Sequence, residues 1–336
     1  VCSWAPVCAS PAAMARVARK GALFRPRPPP HPTPVRLQQP KKETVLIQPH
    51  TYLRWFQRCN DRHTSGWVPL LIAGAAVGLV RPALAARLVN TPGALSRQDD
   101  TLVLDPALTC AEARTAALAA QISAVAATGA LPPPRGERCR IDGGWGTPVL
   151  AELDRAYLAH LGMRGYGVHV NGVTALPDGT PALWIARRAL DRATEPGKLD
   201  NVVAGGLPAG ISLMDNVMKE AAEEAGMPAS LAGQAASKGQ LSYAYEIPAG
   251  LLVDTLFLFD LAVPGDFTPH NRDGEVAGFE RLPLAEVARL VRDTDHIKRN
   301  CNLVMLDYLY RQQALDLSAD GMGLIAVALR EAAAPT

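Results

Sequence analysis

The stretch from Gly205 to Met227, GGLPAGISLMDNVMKEAAEEAGM, constrains this chain more than any other. It reads as a glycine-rich loop running into a short amphipathic helix with both ends written in the sequence. Ser212 is an N-cap, and Asp215 three residues on completes a capping box near the positive helix end. Met214, Val217, Met218, Ala221 and Ala225 recur at helical spacing and make one apolar stripe. Gly226 suits the left-handed C′ position, and Pro228 blocks continuation. In the loop before the helix, Gly205, Gly206 and Gly210 let backbone approach a ligand closely.

The polar side of this helix is less ordinary. Glu220, Glu223 and Glu224 stand at i, i+3 and i+4, so three carboxylates share one region of its surface. Such like-charge pairs destabilise a bare helix by roughly 0.2–0.5 kcal/mol each. A hard divalent cation reverses that sign, because Mg²⁺ prefers carboxylate oxygens and keeps positions open for phosphate. A pair of glutamates on a helix is ordinarily a solvated face. Here the glycine loop beside the acidic helix suggests a metal–diphosphate site instead.

The spacing resembles the box of the Nudix hydrolases, Gly-x5-Glu-x7-Arg-Glu-U-x-Glu-Glu-x-Gly-U, with U aliphatic. Gly205 fills the first glycine, Glu220 the glutamate after the basic residue, Glu223 and Glu224 the pair, and Gly226 and Met227 the end. Lys219 stands where arginine is usual, which conserves charge. Ile211 stands where the first glutamate is usual, a departure that touches loop geometry more than metal binding.

The chain has 336 residues, 48% hydrophobic and 20% charged, enough for one large or two medium domains. Its net charge of +2 is unevenly placed: no acid precedes Glu43, and the remainder is mildly acidic. That gives no case for a nucleic-acid polymer as partner. Cys2, Cys8, Cys59, Cys110, Cys139 and Cys301 form no CxxC pair and no zinc-finger spacing, so reduced structural thiols in a cytoplasmic compartment are expected. No apolar run reaches the ~20 residues of a membrane helix. Val68 to Val80, VPLLIAGAAVGLV, reads as a strand pair or strand–turn.

Residues 1–45 are rich in Ala, Arg and Pro and read as a solvated basic tail or start-site artefact, with an organelle transit peptide as the alternative. An accessory domain is expected over 46–144, the catalytic domain over 145–318 and a tail over 319–336. In the first, His50 to His63 is expected to be helical with Leu53, Phe56 and Trp55 inward, and Thr109 to Ala127 is an Ala-rich helix. Pro148 to Gly162 reads as another amphipathic helix ended by glycine. Tyr166 to Val173 and Ala182 to Ala186 form a hairpin about Pro177-Asp178-Gly179. Strands follow at Gly197–Ala204, Leu241–Glu246, Val253–Val263 and Glu275–Leu282, and helices at Leu284–Arg292 and Asn302–Tyr310. This order is α+β, an α/β/α arrangement with a mixed sheet between helices, preceded by a smaller α+β domain.

The likeness extends beyond the box. Leu199–Gly206, LWIARR, LSYAYE, Leu256–Leu261 and Asn271–Val276 resemble the Nudix branch fused to or named after thiamine pyrophosphokinase, whose members carry an N-terminal domain of unassigned function. The resemblance implies Mg²⁺-dependent hydrolysis of a small-molecule diphosphate, with Mn²⁺ as a substitute metal. Glu220, Glu223, Glu224 and the Gly205 backbone would hold the metal, and either Glu223 or Glu224 would act as general base. Glu275, on a loop after the sheet, is a further base or ligand candidate. Lys219 and Arg187 are candidate phosphate partners. For a thiazolium-type ring, Trp184, Tyr243, Tyr245 and Asp200 are candidates, each with packing as the competing role. His169 reads as a structural histidine. No GxxxxGK[ST] occurs, so kinase chemistry has no support.

Two other classes compete. A non-catalytic Nudix module binding a nucleotide, coenzyme or protein is favoured by Ile211 and Lys219. An isomerase on the same fold needs a thiol beside an acid, and no cysteine lies near the box in sequence.

Overall fold

In a computed structural model, residues 48–334 are described. The basic head expected over 1–45 lies outside them. The elements are α1 (His50–Arg58), β1 (Val68–Ile72), β2 (Ala75–Val80), α2 (Pro82–Asn90), β3 (Leu95–Gln98), β4 (Thr101–Leu104), α3 (Ala111–Ala127), β5 (Arg138–Ile141) and β6 (Ala151–Asp154). Next come β7 (Arg164–Ala175), β8 (Pro181–Arg188), β9 (Leu199–Asn201), β10 (Val203–Gly206), α4 (Leu213–Ala225), α5 (Ala229–Ala232), β11 (Ala236–Ile247) and β12 (Gly250–Ala262). The last are β13 (Val276–Pro283), α6 (Leu284–Asp293), α7 (Cys301–Arg311) and α8 (Ala319–Ala333).

The apolar run at Val68 folds as the β1–β2 hairpin, turning through Ala73 and Gly74, both left-handed. With β3 and β4 it makes a four-stranded sheet in the order β2-β1-β4-β3. Leu88 of α2 and Leu118, Ile122 and Val125 of α3 share its core. Buried Gln121 stitches the two together: its Oε1 accepts from Leu95 N at 2.7 Å, and its Nε2 donates to Leu88 O at 2.8 Å.

Pro148 to Gly162 does not form the expected helix. Ala151–Asp154 pairs antiparallel with β5, and only Arg155–Tyr157 coils, as one 3₁₀ turn. Ala151 and Leu153 are buried while Glu152 and Asp154 are not, a period of two that the helical reading overlooked.

The second sheet has seven strands along the path β11-β12-β7-β8-β13, with β10 on β7 and β9 on β8. It is mixed, because β7 and β12 run parallel while their other partners are antiparallel. One edge of β7 parts, taking β10 along 167–170 and β8 along 172–175. Gly172 sits at the parting, where a Cβ would press on Val202 and Trp184. Val168, Val170, Phe257 and Phe259 pack under α4 and α5. On the opposite face Leu183, Ile185, Tyr243 and Leu258 pack under α6, α7 and α8. The order is the α/β/α arrangement expected, preceded by the smaller sheet.

Two elements depart from the expected boundaries. Helix α1 joins the α6–α8 layer: Tyr52, Trp55 and Cys59 are buried there, and Trp55 Nε1 donates to Val291 O at 2.7 Å. Leu53 and Phe56 are only partly covered. The stretch expected as a tail from 319 is helix α8, which buries Ile325 and Leu329 in the same core.

Candidate active site

Helix α4 forms as its sequence dictates. Ser212 Oγ accepts from Asp215 N at 3.1 Å and donates to Asp215 Oδ2 at 2.6 Å, closing the capping box. Gly226 ends the helix at φ 63°, and a side chain there would also strike the His270 ring. Val217, Ala221 and Ala225 bury the stripe, with Met214 and Met218 partly covered. Asn216, also buried, donates to Gly206 O at 2.9 Å and so ties the helix to the loop.

The stripe turns Glu220 and Glu224 onto the β10 backbone and leaves Glu223 beside them. A Cβ at Gly205 would collide with the Glu220 carboxyl, so a glycine is what lets Glu220 lie there. Glu224 is buried, and its Oε2 accepts from Ala204 N at 2.8 Å. Glu223 is half-exposed. Lys219 Nζ lies between Glu223 Oε2 at 2.7 Å and Glu220 Oε1 at 3.2 Å. Burial pushes the Glu220 carboxyl up, against the pull of Lys219, and the Glu223 and Glu275 charges push it the same way. Burial raises Glu224 much further, with Asp200, Glu220 and Glu275 adding to it. Acids crowded together in this way suit a cation, and an ammonium already bridges two of them.

Behind this cluster lies a buried polar group. Asp200 Oδ2 receives Arg188 at 3.0 Å and Lys298 at 3.3 Å. Its Oδ1 accepts from the Cys301 thiol at 2.7 Å and from Asn201 N at 2.9 Å. His169 Nδ1 contacts Asn201 Oδ1 at 2.9 Å, and burial lowers this histidine to about 4. Burial raises the Cys301 thiol, so it stays neutral. His169, Asp200 and Cys301 lie close enough together to share a metal. Arg188 and Lys298 already supply two positive charges to Asp200, however, which disfavours a third.

The NUDIX domain model matches residues 165–301, and a domain of unknown function (DUF4743) matches residues 51–165. Nudix hydrolase 24, chloroplastic, of Arabidopsis thaliana is 37% identical over 264 residues, spanning 77% of this chain and 72% of that protein. The chain belongs to the Nudix hydrolases. Nudix hydrolase 20, chloroplastic, of the same plant is 41% identical over 215 residues, 64% of this chain and 57% of the relative. Among solved structures, DR0079 from Deinococcus radiodurans aligns at 20% identity over 49% of this chain and 99% of its own, with a TM-score of 0.36. The family assignment makes the chain a hydrolase of pyrophosphate bonds.

Within this Nudix chain the expected residues fall into two groups. Glu220, Glu223, Glu224 and Lys219 meet in the C-terminal half of α4, where it lies against Gly205 of β10. Glu275 joins them by its field, on a loop that docks on the helix end through His270 N to Ala225 O and Arg272 N to Glu223 O. Arg187, half-exposed on β8, pairs with Glu280 at 2.7 Å. Trp184 is 6% exposed, its indole N–H has no partner, and the Arg281 guanidinium lies 5.2 Å over its ring.

Tyr243 and Asp200 are corrected as ligand contacts. Tyr243 is 1% exposed in the α6–α8 core, donating to Asp254 and accepting from Asn300. Asp200 is 3% exposed and has both oxygens engaged. Tyr245 is buried beneath Arg299. Ile211, in the place of the usual first glutamate, packs against the α4 core. Cys301 does reach the region of the box, through Asp200, which its sequence position concealed. Sequence spacing does not single out Arg188, Arg192 and Lys298: the end of β8, the β8–β9 loop and the entry to α7 deliver them, segments that no local pattern links.

Proposed function

We propose that this chain is a Mg²⁺-dependent diphosphatase releasing a monophosphate from a nucleoside-diphosphate-type or thiamine-diphosphate-type substrate, including damaged thiamine diphosphate. The observation that carries the reading is the placing of Glu220 and Glu224 on the β10 backbone at Gly205 and Ala204, with Glu223 joined to Glu220 through Lys219. These carboxylates and the β10 backbone beside Gly205 would hold Mg²⁺, or Mn²⁺ in its place; the donors are hard oxygens, as such ions require. When bound, the metal supplies charge neutralisation at phosphate oxygens and a lowered pKa for the attacking water.

The protein's own part is positional. Ala204 N fixes Glu224, and Gly205 lets Glu220 reach the strand. Glu223, the most exposed of the three, and Glu224 are the candidates to take the water's proton. Glu275 is a further ligand or base. Lys219 would meet phosphate oxygens; Arg187, on the α6–α8 face of β8 and paired with Glu280, is turned away from the glutamates. Trp184 is buried with the Arg281 guanidinium over its ring, so a thiazolium ring would have to displace that cation to stack there. The sequence resemblance favours the thiamine-type substrate. Residues 46–144 would serve as an accessory domain. The two plant relatives are both named chloroplastic, which favours an organelle over the cytoplasm.

The test is a substrate panel with Mg²⁺: thiamine diphosphate, its oxidised analogues, ADP-ribose, NADH, coenzyme A and oxidised nucleoside diphosphates. Turnover of one class, abolished in a Glu223→Gln/Glu224→Gln double variant, is the expected result. A folded protein that turns over none of them, and binds phosphate without regard to metal, would make it an interaction module.

A further inference from the structure

The β8–β9 connection, Ala189 to Gly197, is tied to Glu275, the acid on the loop that docks on the end of α4. Ala189 N donates to Glu275 O at 2.9 Å, and Arg188 N to Lys198 O at 2.9 Å, so both feet of the loop are tied to the sheet. Its second half is held as well. Thr194 O accepts from the Arg188 guanidinium, and the Glu195 carboxylate accepts from Lys198 Nζ and from Arg299 N. The first half is different. Leu190 is 83% exposed, and two residues on, Arg192 reaches back to Glu275.

That contact is unusual in what it leaves open. Arg192 Nη2 lies 2.6 Å from Glu275 Oε2, with the two side chains 34% and 37% exposed. Arg192 Nε is shielded from solvent and has no hydrogen-bond partner. A guanidinium offers five donors in a planar fork that matches the oxygens of a phosphate. Glu275 in turn stands on the loop that docks on the C-terminal end of α4 through His270 N to Ala225 O and Arg272 N to Glu223 O, and its charge acts on Glu220 and Glu224. A cation arriving at those two residues therefore competes with Arg192 for Glu275.

We infer that Arg192 is a phosphate-binding residue of this site, held by Glu275 in the free protein and exchanged onto the substrate diphosphate when a divalent cation draws Glu275 away. This rests on the metal–diphosphate reading above. The exchange balances charge: the Arg192–Glu275 pair gives way to Arg192–phosphate and Glu275–cation pairs. It breaks only a partly exposed ion pair, which costs little. It also gives the first half of the loop a reason to carry an unpacked leucine, because that half must shift with its arginine.

The experiment uses the full chain with Arg192→Gln and Arg192→Lys, and with Arg289→Gln on α6 as a control outside the site. Mn²⁺ affinity is read by electron paramagnetic resonance without substrate, and methylenediphosphonate affinity by calorimetry with Mn²⁺ present. Arg192→Gln should tighten Mn²⁺ severalfold, because Glu275 is released, and weaken methylenediphosphonate by on the order of tenfold, because the fork is lost. Arg192→Lys should keep Mn²⁺ near the wild-type value and recover only part of the diphosphonate affinity. The control should change neither. If the wild type binds Mn²⁺ and Arg192→Gln leaves both affinities unchanged, the exchange is overturned while the diphosphatase reading stands. If the wild type binds no Mn²⁺, that reading falls and the exchange with it.

Discussion

At the scale of single residues, the site depends on which side chains are absent as much as on those present. Gly205 has no left-handed backbone requirement; its role is to leave room for the Glu220 carboxyl. Gly205→Ala should therefore cost about 1–3 kcal/mol through overpacking and lower kcat/KM for the substrate by more than tenfold, since Glu220 is pushed off β10. Mn²⁺ affinity of the folded variant checks this: an unchanged value would mean Glu220 is not part of the metal site. His169 gives a prediction of a different kind. It is buried neutral at about 4 against an ordinary 6.5, facing Asn201, Asp200 and Cys301, with Arg188 of β8 and Lys298 before α7 close by. A depressed pKa in the folded state means stability that is fully present above pH 6.5 and lost as pH falls toward 4, about 3 kcal/mol over that window. Urea midpoints at pH 7 and 4.5 should differ more for the wild type than for His169→Gln; equal slopes would show that His169 is not held neutral. The box glutamates were legible in the sequence because their spacing is local. Arg192, Lys298 and Cys301 were not, because their nearness to the site is made by sheet pairing across many residues.

At the scale of elements, legibility tracked how local the determinants are. Helix α4 was readable to its ends because Ser212, Asp215 and Gly226 satisfy its terminal groups within the segment itself. Ser212→Ala should accordingly remove about 1 kcal/mol of stability while leaving KM unchanged, since the cap faces away from the glutamates. Denaturant unfolding alongside steady-state kinetics separates the two effects, and a KM that moves with the cap would mean that Asp215 or its loop contacts substrate. The segment at Pro148 failed for the opposite reason. Its four-residue strand exists only because Arg138–Ile141 lies alongside it, and because Glu152 N finds the Thr115 hydroxyl on α3 at 2.8 Å. An isolated PVLAELDRAYLAHLG has enough apolar residues at helical spacing to mislead, and the partner strand overrides that pattern. Helix α1 was recognised as a helix, and Trp55 is inward as one of its expected residues, but Tyr52 and Cys59 rather than Leu53 and Phe56 complete its buried face. Tyr52, Trp55 and Cys59 form the buried row at i, i+3 and i+7, and the sequence offers Leu53 and Phe56 as an equally apolar alternative.

At the scale of the whole molecule, the accessory and catalytic parts are interlocked rather than strung together. The Gly205 loop is braced from the accessory side: Ala209 N donates to Arg138 O at 2.8 Å, and the Arg155 guanidinium lies over Gly206. Tyr166 of β7 donates to Asp142 at 2.6 Å, and Trp145 rests on Phe257 with ring centroids 4.5 Å apart. Helix α1 crosses the other way, completing the helical layer behind the catalytic sheet. A deletion of residues 1–144 therefore removes part of the catalytic domain's own core together with the accessory sheet, and its kinetics would report both losses at once. A point change isolates the first. Trp55 is 2% exposed and its indole N–H is bound to Val291 O, so Trp55→Ala should cost about 3–5 kcal/mol by opening a cavity between α1 and α6. Because one core joins α1 to α6, α7 and α8, that loss should appear in the protection of α6 and α7 amides in hydrogen exchange, and both halves should melt in a single transition at lower temperature. Were the amides of α6 and α7 to keep wild-type protection in Trp55→Ala, α1 would be a mere attachment. The catalytic domain would then be free to fold without it, and the accessory sheet could be removed cleanly after all.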